Sequence, residues 1–280
     1  TDDYVNIGTG NNILPLPSHS LESWVKSSGL GSGMNTSAIF GITYGLIVQI
    51  IGGGILEYYA YTTDSGPQVI LFDLYSTGVN LFDNNWHHVA VVWSYSTTTG
   101  FIYIDGKDRT NKLNNFPYQA NNNNTGRFIV GVPNNEESVN YFSGSMCELR
   151  IWSVARTASQ IYQNFRRILN GDESGLVCYN RLNQGTANGS NSGLTTATNN
   201  MLSGGFAGTL SGFSLVSNTS NWVDGVTLRP NKDVTITGVG VATGVGVTDG
   251  AAPRTTSPGT SRSPTATVIA DLAREVMTKL

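Results

Sequence analysis

Two adjacent histidines, His87 and His88, are the residues of this sequence that most resemble a general base or a metal pair. They lie in the apolar run Trp86 to Tyr95, whose composition suits a β-strand. Successive strand side chains point to opposite faces, so the pair cannot converge on one ion. The glutamates Glu22, Glu57, Glu148, Glu173 and Glu275 stand singly, and Glu136-Glu137 would face opposite ways in an extended chain. No serine elbow, phosphate loop or zinc spacing is present. The expectation is a protein that is not an enzyme. Means of holding a polar, uncharged ligand are present. Tyr58, Tyr59, Tyr61, Tyr118 and Tyr141 could serve as aromatic platforms, and Asn122, in the run Asn121 to Asn124, as an amide contact. Each type also has a plain structural use. A strand tyrosine commonly packs half-buried, and an asparagine run commonly makes a loop.

Composition narrows the classes. Of 280 residues only 12% are charged, against roughly 25% in an average chain, and the net charge is −3. A grip on nucleic acid takes clustered lysine and arginine, so none is expected. With 39% hydrophobic and 10% aromatic residues the chain can build a core. Its polarity comes from Asn, Ser, Thr and Gly, which suits contact with glycans and an extracellular, cell-surface or virion-surface setting. The longest apolar run, Gly45 to Leu56, is broken by Gln49 and Gly52 to Gly54, so no membrane span is expected. A chain starting at Thr1 without a Met reads as a processed or trimmed product.

Short strands separated by Gly/Asn/Ser/Thr turns fill residues 1–225. Clear runs are Ser20 to Lys26, Ala38 to Ile51, Leu56 to Tyr61, Gln68 to Tyr75, Trp86 to Tyr95, Phe101 to Asp105, Arg127 to Val132, Gly144 to Trp152 and Gly175 to Leu182. Spacing of roughly 8–12 residues reads as an all-β sandwich or barrel. Asp105-Gly106 signals a tight turn. One helix interrupts the pattern: Thr157 or Ser159 can cap it, and Ile161, Phe165, Ile168 and Leu169 fall on one face. Cys147 and Cys178 lie in strand-like runs and allow either one disulfide or two buried thiols. Three further segments follow. Residues 226–250 are Val/Gly-rich, with Val239, Val241, Val245 and Val247 on one face of a repeated Thr-Gly-Val-Gly-Val unit. Residues 251–266 form a Pro/Ser/Thr linker. Residues 267–280 form a short amphipathic helix bearing Val268, Leu272, Val276 and Leu280. A helix this short needs a partner surface, so self-association or docking to another surface protein through residues 226–280 is expected.

Four segments then acquire a common meaning: Leu21-Glu-Ser-Trp-Val25, Trp86-His-His-Val-Ala-Val-Val-Trp93, Phe101-Ile-Tyr-Ile-Asp-Gly-Lys107, and Phe142-Ser-Gly-Ser-Met-Cys-Glu-Leu-Arg-Ile-Trp152 followed by Ala155-Arg156. Together they resemble the laminin-G/pentraxin-like domains of the concanavalin A-like lectin/glucanase superfamily. Gly175-Leu-Val-Cys-Tyr179, Asn183-Gln-Gly185 and Gly208-Thr-Leu210 resemble the closing part of that module. The resemblance implies a jelly-roll sandwich of two antiparallel sheets, and Cys147 departs from it where such modules often carry Asp. Glycosidases on this fold use closely spaced acidic residues on one strand, a run this sequence lacks. The resemblance also implies calcium (Ca2+) at the sandwich rim, held by Asn135, Glu136, Glu137 and Asn140, whose oxygens are the hard ligands calcium takes. Asp64 and Asp73 are weaker alternatives. The function implied is a non-catalytic binding or adhesion module for a glycan or glycoprotein surface, attached through its C-terminal extension. The alternatives are a structural subunit of a surface assembly and a glycan-active enzyme of the same superfamily.

Overall fold

A computed structural model describes residues 3–13, 18–42, 45–61, 70–115, 126–133, 140–216 and 221–230. The strands are β1 (Tyr4–Thr9), β2 (His19–Lys26), β3 (Thr36–Ile42), β4 (Leu46–Ile51), β5 (Ile55–Tyr61), β6 (Ile70–Ser76), β7 (His87–Ser94), β8 (Thr99–Ile104), β9 (Lys107–Asp108), β10 (Thr110–Asn115), β11 (Arg127–Val130), β12 (Ser145–Trp152), β13 (Arg167–Ile168), β14 (Leu176–Asn180), β15 (Thr196–Ala197), β16 (Gly208–Ser211) and β17 (Arg229–Pro230). A single helical turn, α1 (Gly10–Ile13), follows β1, and the longer α2 (Ala158–Asn164) follows β12. Nine strands form one antiparallel sheet in the order β10-β6-β5-β4-β3-β11-β1-β16-β15, and six form another in the order β14-β12-β2-β7-β8-β9. The expected jelly-roll sandwich is present.

Alternation decides which side chains meet between the sheets. Leu21, Val25, Val89, Val91, Trp93, Ile102, Ile104, Leu149 and Ile151 from the six-stranded sheet pack on Val5, Ile7, Phe40, Val48, Leu56, Phe72 and Phe128 from the other. Phe72 stacks on Trp93 with ring centroids 4.2 Å apart. The opposite phase of β7 and β8, Ala90, Val92 and Tyr103, packs with Ile161 of α2 in a second cluster. The Asp105-Gly106 turn is left-handed at both residues, φ 52° and 74°, which is why a glycine stands second there.

The outer face of the six-stranded sheet is covered, and polar groups lie beneath the cover. Glu22 of β2 is fully enclosed and paired with Arg156, which also lies over the Trp152 ring at 4.0 Å. His88 Nε2 is 3.3 Å from the same carboxylate, and Arg150 Nη1 is 3.7 Å from it. Burial alone would raise the pKa of Glu22; Arg156, His88 and Arg150 together outweigh it and bring it to about 2. Between Cys147↔Trp24 and Arg150↔Glu22, β12 spends one residue more than β2, and Glu148 takes φ 57°. The bulge breaks the alternation after Cys147; Glu148 lies two positions from Arg150 on the same side of the strand, and Arg150 Nη2 donates to it at 3.1 Å. The Tyr179 hydroxyl and Arg181 Nε donate to Glu148 as well, at 2.6 and 2.8 Å.

The same network ends the helix. Thr157 caps α2 through a capping box with Gln160, as its position suggested. The apolar periodicity through Leu169 predicts a longer helix, but α2 stops at Asn164 and Arg167–Ile168 is extended. The carbonyls released at that end are bound from below. Trp24 Nε1 donates to Phe165 O at 2.9 Å, and Arg150 donates to the carbonyls of Asn164 and Arg167. Arg167–Ile168 then pairs in parallel with Arg229–Pro230.

The possible Cys147–Cys178 disulfide is corrected: both are free thiols. They lie on adjacent strands, but Cys178 stands opposite Ile151, four positions along β12 from Cys147. At about 3.3 Å per residue that offset exceeds the ~7 Å Cα separation a disulfide can bridge.

The histidines diverge as alternation requires. His88 points to the Glu22 side, where burial lowers its pKa. His87 points the other way, with Nδ1 2.8 Å from Asp105 Oδ2 and Nε2 3.2 Å from Asp83. Asp105 raises the His87 pKa, with Asp83 assisting against partial burial.

Two predictions follow from these contacts. Removing one partner of a buried pair leaves a charge uncompensated, so Glu22→Gln should destabilise the fold by about 3–5 kcal/mol in urea unfolding. A control such as Ser96→Ala on an exposed turn should not. The second concerns pH. A raised histidine pKa contributes stability that is full below the unfolded value, about 6.5, and fades as pH rises through the folded value. The depressed pKa values of Asp105 and Asp83 contribute stability that is lost only as pH falls through them. His87→Gln should therefore cost more stability at about pH 5.5 than at about pH 8.5; an equal cost at both would refute the ion-pair assignment.

Candidate functional site

The strand ends that meet at one rim of the sandwich enclose a cavity of ≈ 470 Å³. It lies where β1 and β12 begin and β11 and β14 end, and the segment 221–226 passes along it. The rings of Tyr4, Trp86, Phe142, Phe213 and Trp222 line it. Its polar lining includes Asp3, Glu148, Arg181, Asn183, Asn221 and Asp224.

Each group is held by the local chain. Asn221 Nδ2 donates to Asp3 Oδ2, while the Asn221 backbone N–H donates to Ser214 O at 2.8 Å. The other oxygen of Asp3, Oδ1, is buried with no hydrogen-bond donor among the described residues. Asn188 N–H donates to Trp222 O at 2.7 Å. The Trp222 indole lies flat on Gly185, where a Cβ would come within 2.3 Å of the ring, so only glycine admits this position. Arg181 is fixed by Nε to Glu148 Oε1 and by its N–H to Asn200 Oδ1 at 2.9 Å. Cys147 also lines the cavity; burial pushes its thiol up to about 12, so at neutral pH it is no nucleophile.

The arrangement is one of apolar rings interleaved with carboxylates and amides. Such a lining packs against C–H faces and exchanges hydrogen bonds with hydroxyls. A volume in the ~300–1,000 Å³ range is ordinary for a small-molecule site.

A second polar group occupies the outer face of the nine-stranded sheet. Gln49 donates to Glu57, and the Tyr75 hydroxyl donates to Asp73 Oδ2 at 2.7 Å and also reaches Glu57. Burial raises the pKa of both carboxyls.

Most tyrosines expected at a ligand site are not brought to this rim. Tyr58 is corrected outright. It faces the core, fully buried, with its hydroxyl 2.6 Å from His19 Nε2, because β5 turns its even positions inward and presents Tyr59 outward. The Tyr61 side chain, Tyr118 and Asn122 lie outside the described residues. Tyr141 is half-buried, and it is its neighbour Phe142 that lines the cavity. Of the expected calcium set, Asn135, Glu136 and Glu137 lie outside the described residues. Asn140 is described: its amide oxygen accepts from Asn35 N–H at 3.3 Å and its carbonyl from Ala38 N–H at 3.2 Å. Val239, Val241, Val245, Val247, Leu272, Val276 and Leu280 also lie outside the described residues. The residues that do form the cavity went unnoticed because they come from chain segments more than 200 positions apart. Trp86 is legible only as the first residue of a strand-like run, and no local pattern singles out Trp222.

No curated protein matches this sequence. Among solved structures, a candidate carbohydrate-binding protein from Bacteroides ovatus is similar at 23% identity and a TM-score of 0.54, over 76% of this chain and 56% of that one. The chain thus spans little more than half that neighbour's length. A native heptameric SAP-like pentraxin from Limulus polyphemus is similar at 16% identity and a TM-score of 0.38, over 57% of this chain and 74% of that one. The CBM40 of Ruminococcus gnavus IT-sialidase is similar at 12% identity and a TM-score of 0.41, over 56% and 91%. The Bacteroides neighbour speaks for the fold. No helix among the described residues is long and apolar enough to cross a membrane. The family model described as the concanavalin A-like lectin/glucanases superfamily matches residues 1–162, more than half of the sequence. With two antiparallel sheets in a jelly-roll sandwich and a match of that extent, the chain belongs to the concanavalin A-like lectin/glucanases superfamily.

Proposed function

We propose that the protein is a non-catalytic glycan-binding module that takes its ligand in the rim cavity. One observation carries the reading: the aromatic residues Tyr4, Trp86, Phe142, Phe213 and Trp222 and the polar residues Asp3, Asn183, Asn221 and Asp224 line the same ≈ 470 Å³ space. Sugar hydroxyls would exchange hydrogen bonds with those carboxylates and amides while the ring's C–H face lies on Trp222 or Tyr4. The carbohydrate-binding candidate from Bacteroides ovatus supports the choice of ligand class. The low charge and Asn/Ser/Thr/Gly surface suit display on a cell or virion surface, with residues 226–280 as the attachment or self-association segment.

A second reading rests on a different observation. Glu57 and Asp73 share Tyr75 and have raised pKa values, as a glycan-cleaving pair would need to keep one carboxyl protonated. Release of reducing ends from a polysaccharide panel, abolished in Glu57→Gln, would favour it.

A glycan array probed with the full chain tests the first reading. Trp222→Ala and Asp3→Ala should each weaken binding by about tenfold or more, equivalent to ~1.4 kcal/mol, with unchanged circular dichroism. Bound glycans indifferent to both substitutions would place the ligand elsewhere.

A further inference from the structure

Resting on the glycan reading of the rim cavity, we infer that its ligand is a neutral saccharide and that sugars bearing a carboxylate are excluded. The cavity lining carries three carboxylates, those of Asp3, Glu148 and Asp224, against one guanidinium, that of Arg181. Arg181 is held against the inner wall of the cavity. Its Nε is committed to Glu148 at 2.8 Å, and it balances the side of Glu148 that Arg150 does not reach. Glu148 thus sits between Arg181 and Arg150 at the inner wall. Asp3 and Asp224 remain, with no cation among the described lining residues to offset them.

The hydrogen-bonding inventory has the same bias. The Asp3 carboxylate accepts from Asn221, and the exposed Asp224 contributes two further acceptor oxygens. A carboxylate is acceptor-only. A sialic acid or uronic acid group would bring a second acceptor-only anion to this wall, where like charges in partial exclusion from water repel strongly. A neutral sugar brings hydroxyls that donate to Asp3 and accept from the amides of Asn183 and Asn221. The lining therefore offers complementarity to a hydroxyl-rich ring and repulsion to a charged one, and the two together make a preference.

The test uses paired probes on the full chain: lactose and N-acetyllactosamine glycans with their α2,3- and α2,6-sialylated counterparts, and galactan oligosaccharides with oligogalacturonates. The neutral member of a bound pair should bind at least about tenfold more tightly. Its affinity should change little between about 0.05 and 0.5 M salt, whereas weak binding of the acidic member should strengthen as screening rises. Asp224→Asn, an exposed change compatible with folding, should narrow the gap by improving the acidic member alone. An acidic member bound as well as or better than its neutral partner, and lost in Asp3→Ala, would overturn the neutral-ligand inference while leaving the cavity as the glycan site. Binding to any pair that neither Asp3→Ala nor Trp222→Ala weakens, or no binding at all, would overturn the glycan reading of the cavity itself and this inference with it.

Discussion

The carboxylate of Glu22 has no exposed surface, and much of the molecule is arranged to keep it charged. Removing an ion from water costs several kcal/mol even after relaxation. The attraction of Arg156, with Arg150 behind it and His88 alongside, repays that cost only while all are in place. Arg156 arrives from the loop before α2, Arg150 from the neighbouring strand and His88 from the strand on the other side. The pair therefore fixes how the helical segment lies on the sheet, a geometric demand that apolar packing alone would leave looser. Arg150 also binds the carbonyls of Asn164 and Arg167 at the end of α2, so the helix end and the buried pair share one side chain.

The same chain of contacts extends to the rim. Arg150 holds Glu148, Glu148 holds Arg181, and Arg181 forms part of the cavity wall. A ligand there would meet side chains set by the buried network on one side and by the Asn221–Asp3 contact on the other. Strand ends supply rigidity, and the connecting segments supply the particular groups, which is the usual division of labour in a sandwich. The fold itself is shared by proteins of many activities, so function is argued from these groups and not from the sheets.

How legible each part was depends on the range of the physics behind it. The alternation of Val89, Val91 and Trp93, the helix cap at Thr157, one of the two residues that could serve, and the Asp105-Gly106 turn are short-range, and all three stand in the structure. Phase was harder. Tyr58 and Tyr59 are chemically alike, and only the pairing of β5 with β4 and β6 decides which faces the core. The end of α2 was misplaced because apolar residues at helical spacing continue past Asn164; what stops the helix are donors from Trp24 and Arg150, residues of distant strands.

The glutamates show the limit most clearly. Read along the chain they stand alone, and each looks like an isolated surface charge. By itself the sequence determined an all-β sandwich, its family, its uncharged polar surface and the placing of its turns, because periodicity, turn chemistry and composition act over a few residues. Only the tertiary structure decided that Glu22 and Glu148 share Arg150, that Glu57 and Asp73 share Tyr75, that the two cysteines miss one another, and that Asp3 and Asn221 meet beside Trp222 at one rim. Those juxtapositions depend on strand order and register across the whole chain, and no local pattern encodes them.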